Sequence, residues 1–160
     1  MATPTNLPAA QTTGNVLTAA YMNDLRGAFR VLQVLQATTV TQTASGSATY
    51  VSTTSTLAIT PQATSSKILV VSNLVCLASA SPCQYAVRIQ RGATTVFTNG
   101  GAGYFLTDNG TCITSIYLDS PSTTSSTTYT IEYARASGVG TAYVQLGGAP
   151  STLTLLEISA

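Results

Sequence analysis

The sequence predicts an all-β fold: a jelly-roll-like antiparallel β-sandwich preceded by an extended N-terminal arm and one amphipathic α-helix. Three observations predict it. Beyond residue 36 the apolar pattern repeats every second residue in short segments, the period of a strand with one face on a core. Segments rich in Gly, Pro, Asn, Asp and Ser interrupt that pattern about every dozen residues, the rhythm of a sandwich. Charge is nearly absent, with 6 Lys or Arg and 5 Asp or Glu among 160 residues, while 46 residues are Ser or Thr. The chain divides into an arm and helix over 1–36 and a sandwich over 37–160.

Residues 1–14 hold Pro4, Pro8 and Gly14 and no charge. Proline fixes φ and removes a donor, so the stretch predicts an extended arm that orders along a neighbour. From Thr18, placed as an N-cap, to Gln36 the period becomes helical. Met22, Leu25, Phe29 and Leu32 recur at spacings of three, four and three and form one stripe. Asn23, Asp24, Arg26 and Arg30 supply the polar side, and Gly27 weakens the middle by about 1 kcal/mol relative to alanine. Such a helix needs a surface, either its own domain or the same helix of other subunits.

Strands follow at 37–44, 49–60, 67–79, 84–90, 94–98, 104–107, 111–118, 127–135, 141–146 and 152–158. KILVVSNLVCLAS (67–79) is nearly continuous in apolar residues, which predicts a strand covered on both faces. QYAVRIQ (84–90) alternates Tyr85, Val87 and Ile89 with Ala86, Arg88 and Gln90, a half-buried strand. Arg91-Gly92-Ala93 predicts a hairpin turn, and Asn99–Gly103 a flexible loop. In TTYTIEYAR (127–135), Tyr129, Ile131 and Tyr133 face one way. No repeat of solenoid length is visible.

Composition excludes whole classes of function. With no histidine, a Ser–His–Asp or Cys–His arrangement cannot be built, nor can the usual mixed zinc site. The sequence therefore predicts no catalytic residue, no cofactor and no metal, and a protein that is not an enzyme. Of the five acids, Asp24, Asp108, Asp119, Glu132 and Glu157, the pair that sequence leaves open for glycosidase carboxylates is Asp108 with Asp119, and both sit in turn segments where aspartate accepts backbone hydrogen bonds. The cations Arg26, Arg30, Lys67, Arg88, Arg91 and Arg135 form no run, and the net charge of +1 draws in neither nucleic acid nor an anionic membrane. No apolar run approaches the roughly 18–20 residues of a spanning helix, so no membrane insertion is predicted. Cys76, Cys83 and Cys112 are an odd count without C-x-x-C spacing. Cys76 reads as a small buried hydrophobe, and Cys83, after Pro82 in an apparent loop, as a free thiol, with pairing to Cys76 across a bend as the alternative, in a chain folded in a reducing cytoplasm. A soluble domain usually carries about 25% charged residues, and this one carries 7%, so its surface is predicted to be hidden in an assembly.

Two segments carry a resemblance. VLTAAYMNDLRGAFRVLQVLQ (16–36) resembles the N-terminal helix of small virion proteins of tailed bacteriophages. ITPQATSSKILVVSNL (59–74), with VRIQRGATTVF (87–97) and STLTLLEI (151–158), resembles the trimeric jelly rolls of phage fibre heads and head decoration proteins, akin in shape to complement C1q and tumour necrosis factor. The resemblance implies a homotrimer on the virion surface, a decoration or cement protein bound to the major capsid protein or other virion proteins. In that setting Met22, Leu25, Phe29 and Leu32 become the oligomer or anchor stripe. The alternative it implies is a fibre tip recognising a host-surface glycan, with Asn99, Gly100, Gly101, Tyr104 and Phe105 as the candidate ligand-contact loop.

Overall fold

In the computed structural model of the chain the described residues are 18–19, 31–105 and 110–159, without side chains at 102–105. Among the described residues ten strands make two antiparallel sheets. The first sheet holds β1 (Val31–Thr39), β2 (Thr43–Ser45), β4 (Lys67–Ala78), β7 (Thr111–Asp119), β9 (Ala142–Val144) and β10 (Ser151–Ile158). In the second, β3 (Val51–Ile59), β8 (Thr127–Gly138), β5 (Cys83–Arg91) and β6 (Thr94–Phe105) lie side by side in that order.

The connectivity becomes simple once two interrupted strands are seen as continuous lines. β10 and β9 pair with successive stretches of the same edge of β4, and β1 and β2 pair with β10 and β9 in turn. The first sheet is thus four strands wide, and the fold has eight strand lines. In chain order the first pairs with the eighth, the second with the seventh, the third with the sixth and the fourth with the fifth. That is one long hairpin, rolled up and closed by the β10–β4 and β8–β5 pairings. This pattern is the jelly roll.

Alternation builds the core between the sheets. On β4 the residues Ile68, Val70, Leu74, Cys76 and Ala78 point inward and are buried. Tyr129, Ile131 and Tyr133 of β8, with Tyr85, Val87 and Ile89 of β5, meet them fully buried from the second sheet, on the faces the sequence predicted. The Tyr85 and Tyr133 rings stack 6.2 Å apart. The Tyr85 hydroxyl donates to the Leu77 carbonyl at 2.5 Å and accepts from the Tyr143 amide at 2.8 Å. A buried tyrosine needs such a partner for its polar end, and here the partner lies on the opposite sheet.

Two expectations fail. Residues 31–36, assigned to the C-terminal third of the helix, are strand: β1 runs antiparallel to β10 from Val31↔Ile158 to Thr39↔Ser151. The boundary drawn between 36 and 37 therefore falls inside β1. Val31, Leu32, Val34 and Leu35 suit either period, and the ladder offered by β10 decides for the strand. The remainder of the helix, residues 20–30, and the arm over 1–14 lie outside the described residues. The second failure is the loop at Asn99–Gly103. The strand predicted at 94–98 and the described part of the one predicted at 104–107, which ends at Phe105, are one, β6, because β5 supplies hydrogen-bonding partners on both sides of the glycines, Val87↔Asn99 and Ala86↔Gly100, then Gln84↔Tyr104. The register slips between Gln84 and Ala86, where Gly101 has φ 89°. A glycine accommodates such a bulge without leaving the sheet. Gly92-Ala93 between β5 and β6 is the hairpin connection expected there.

Candidate assembly surface

The two sheets present opposite chemistry to the outside. On the second sheet Ser52, Glu132, Arg88 and Thr98 stand in register across all four strands. Arg88 Nε donates to Glu132 Oε2 at 2.6 Å, and its guanidinium lies 4.3 Å from the centre of the Tyr50 ring. This face is a solvated one, the usual partner of a buried inner face.

The first sheet instead carries apolar residues on its outer side. Registered pairs place Val34, Leu156, Leu69 and Leu118 in one row, one residue per strand line. Beside it Gln36, Thr154, Val71 and Ile116 make a second row, and Val31 and Ile158 flank the first at the edge of the sheet. Ile116 is 60% exposed, Val34 56% and Leu118 47%. A third row, Thr38, Thr152, Asn73 and Thr114, is polar and ends the band. Contiguous exposed apolar surface of this kind marks a contact site. Residues 67–79, predicted to be covered on both faces, are fully buried on the inner face only, and Asn73 on the outer face is exposed. Leu69, Val71, Val75 and Leu77 of β4 point away from the core and are half-buried.

Two of the described acids, Asp119 and Glu157, are buried, and hydrogen bonds hold both. Arg91 Nη1 donates to both carboxylate oxygens of Asp119, at 3.1 and 2.9 Å, and the Tyr129 hydroxyl donates to Asp119 Oδ2 at 2.7 Å. Asp119 closes β7 of the first sheet while Arg91 and Tyr129 belong to the second, so the cluster clasps the two. Glu157 is fully buried and accepts from Gln33 Nε2 at 2.6 Å and from the Gln62 amide at 2.7 Å. Among the described residues only Lys67, which donates to Ser120 Oγ, and Arg135, which donates to the Gly140 carbonyl, carry charge without a charged partner or full burial.

The residues predicted as sites are scattered. Met22, Leu25 and Phe29 lie outside the described residues, and Leu32 is half-buried at the bulge of β1 between Val31 and Gln33. Asn99, Gly100, Gly101, Tyr104 and Phe105 share β6 and form no loop. Asp119 is not a turn aspartate, since its carboxylate is held by Arg91 and Tyr129, and Asp108 lies outside the described residues. Cys76 and Cys83 are buried, Cys112 is exposed, and all three are free. Burial pushes the Cys76 and Cys83 thiols up, which leaves both poor nucleophiles. Cys83 opens β5 and does not sit in a loop. No group of His, Cys, Asp or Glu that could hold a metal exists among the described residues. The residues that sequence reasoning missed are Val34, Ile116 and Leu118. For Ile116 and Leu118 the signal was present in TCITSIYL, where they share the face opposite Ile113.

By its connectivity the chain is a jelly-roll domain. No family model and no curated protein matches the sequence. Among solved structures the chain is similar to the VP2 subviral particle of infectious bursal disease virus, at 17% identity and TM-score 0.48, covering 80% of this chain and 38% of that one. It is similar also to the Gt strain of that virus, at 16% identity and TM-score 0.47 over 81% of this chain and 39% of that one. The T13 viral particle of the same virus gives 17% and 0.46 over 81% and 36%. The chain spans less than two fifths of the length of these proteins.

Proposed function

We propose that the chain is a structural subunit of a virus particle, a homotrimeric decoration or cement protein of the tailed-bacteriophage kind its segments resemble. It would bind the head shell through the major capsid protein or other virion proteins and stabilise it from the virion surface. The observation that carries the assembly is the use of charge. A domain held in solution by itself keeps mixed charges on its surface, whereas this jelly roll pairs or buries most of its few. Trimer and phage setting rest on the resemblance of residues 16–36 and 59–74. The fibre tip recognising a host-surface glycan is not favoured, since its contact loop is strand in β6.

Light scattering of the purified full chain tests the oligomer. The expected mass is three times 16.4 kDa at micromolar concentration; a monomeric mass overturns the assembly, and a dimeric one the trimer. Heating virus particles with and without the protein tests the cement role. Particles lacking it are expected to lose their genome at a lower temperature, and equal stability would reduce the role to passive decoration.

A further inference from the structure

We propose that the outer face of the first sheet is the surface on which copies of this chain meet, each covered there by a second copy. The inference rests on the assembly reading above and names the surface that serves it. Three observations point to this occupant. The first is extent. Beyond the polar row the apolar surface resumes: Val75 and Leu77 of β4 point outward, with Cys112 as the register partner of the one and Tyr143 of the other. The face thus follows all 12 residues of β4, about 40 Å at roughly 3.3 Å per residue, and spans four strand lines, about 19 Å at roughly 4.8 Å each. Its flat area is about 750 Å², and a partner in a stable complex gives up roughly 800 Å².

The second is charge. Among the described outward residues on the strands of this sheet, Lys67 alone is charged, and it stands at the corner in the row of Val31 and Ile158. Interface cores are depleted of charge in the same way. Two copies of a neutral face meet without like-charge repulsion, whereas a charged partner would lose its hydration here and find no counter-charge. The second sheet shows the contrast, since its outer face carries the Arg88–Glu132 pair and an exposed Thr98.

The third is the pair of edges. β1 and β7 are outermost lines of the sheet, and neither β1 nor the run Thr111–Leu118 of β7 holds a charge or a proline. A sheet edge left free is normally guarded by such residues, because its open backbone groups pair with a passing strand. Both edges border the apolar rows, so a second copy seated on the face also shields them.

The test compares the native mass of the purified full chain, by light scattering at micromolar concentration, with that of a double variant, Ile116→Lys with Leu118→Lys. A control, Thr98→Lys, alters the outer face of the second sheet. The unaltered chain and the control are expected to share one oligomeric mass. The double variant is expected at 16.4 kDa, its dissociation constant raised about hundredfold or more by like charges brought together. Circular dichroism checks that it is folded. An oligomeric mass kept by the folded double variant overturns the proposal and leaves the assembly reading standing, since the copies then meet elsewhere and the face serves another partner. Loss of the oligomer in Thr98→Lys as well overturns it too. A monomeric unaltered chain overturns the assembly reading itself. Should the lysines prevent folding, Ile116→Ser with Leu118→Ser decides on the same measurement: a dissociation constant raised about tenfold or more supports the proposal, and an unchanged one overturns it.

Discussion

Asp119 shows how much one side chain can do in a chain with so few charges. It takes two hydrogen bonds from Arg91 and one from Tyr129, and the tyrosine pays for its own burial in acidity. Burial, then the hydrogen bond to Asp119, pushes the Tyr129 hydroxyl well above its ordinary value of 10.0. Burial does the same to Tyr85, with the Cys76 thiol adding to it. Both phenols bind their protons more tightly folded than unfolded, so their contribution to stability is complete below pH 10 and is lost as pH rises beyond it. The thermal midpoint is therefore expected to be level near neutrality in this respect and to fall as pH passes from 9 to 11, the region of the ordinary thiol and phenol values of 9.0 and 10.0. Tyr129→Phe should weaken that fall while lowering the midpoint at pH 7 through the lost bond. An unchanged slope in the variant, followed by circular dichroism across the pH series, would contradict the assignment.

At the scale of the element, the ends of strands decide more than their middles. β8 and β5 pair from Arg91↔Tyr129 to Cys83↔Gly138. At the last pair the Pro82 carbonyl accepts from the Val139 amide at 2.8 Å, which brings it onto Gly138. A Cβ there would stand 2.0 Å from the Pro82 oxygen, and Gly138 has φ 87°. Gly138→Ala should cost about 2–3 kcal/mol, the range for a forced backbone conformation. Gly100→Ala, with nothing within 4 Å of its added Cβ, should be near neutral, and urea titration of both variants distinguishes them. β6 and β1 show what a sequence pattern leaves open. Glycines read as a loop become strand when a partner supplies the ladder, and Val31–Leu35 fits a helix until β10 is beside it. By contrast β4, β5 and β8 were legible residue by residue, because alternation tied to a buried face has one solution.

On the scale of the whole molecule, the rolled hairpin makes long-range pairing unavoidable. Val31 pairs with Ile158, and among the described residues only the β5–β6 hairpin is local. Loop closure must precede most of the stabilising contacts, so refolding is expected on the millisecond-to-second scale or slower. Complete refolding within microseconds in a temperature jump would count against this topology as the folded state. The same wrapping places two sheets back to back with unlike exteriors, one of threonine, glutamine and paired charge, the other of valine, leucine and isoleucine. That asymmetry gives the molecule a direction, a wet side and a side that seeks cover. What the amino-acid sequence determined alone was the class of fold, the inward faces of the main strands and the absence of histidine chemistry, since each follows from residue type and local period. The tertiary structure decided the rest: where the helix pattern stops, that Asn99–Gly101 is strand, which acids are clasped inside, and which apolar residues stand in rows on the outside. These depend on which strand lies next to which, and pairing between residues a hundred positions apart leaves no local trace.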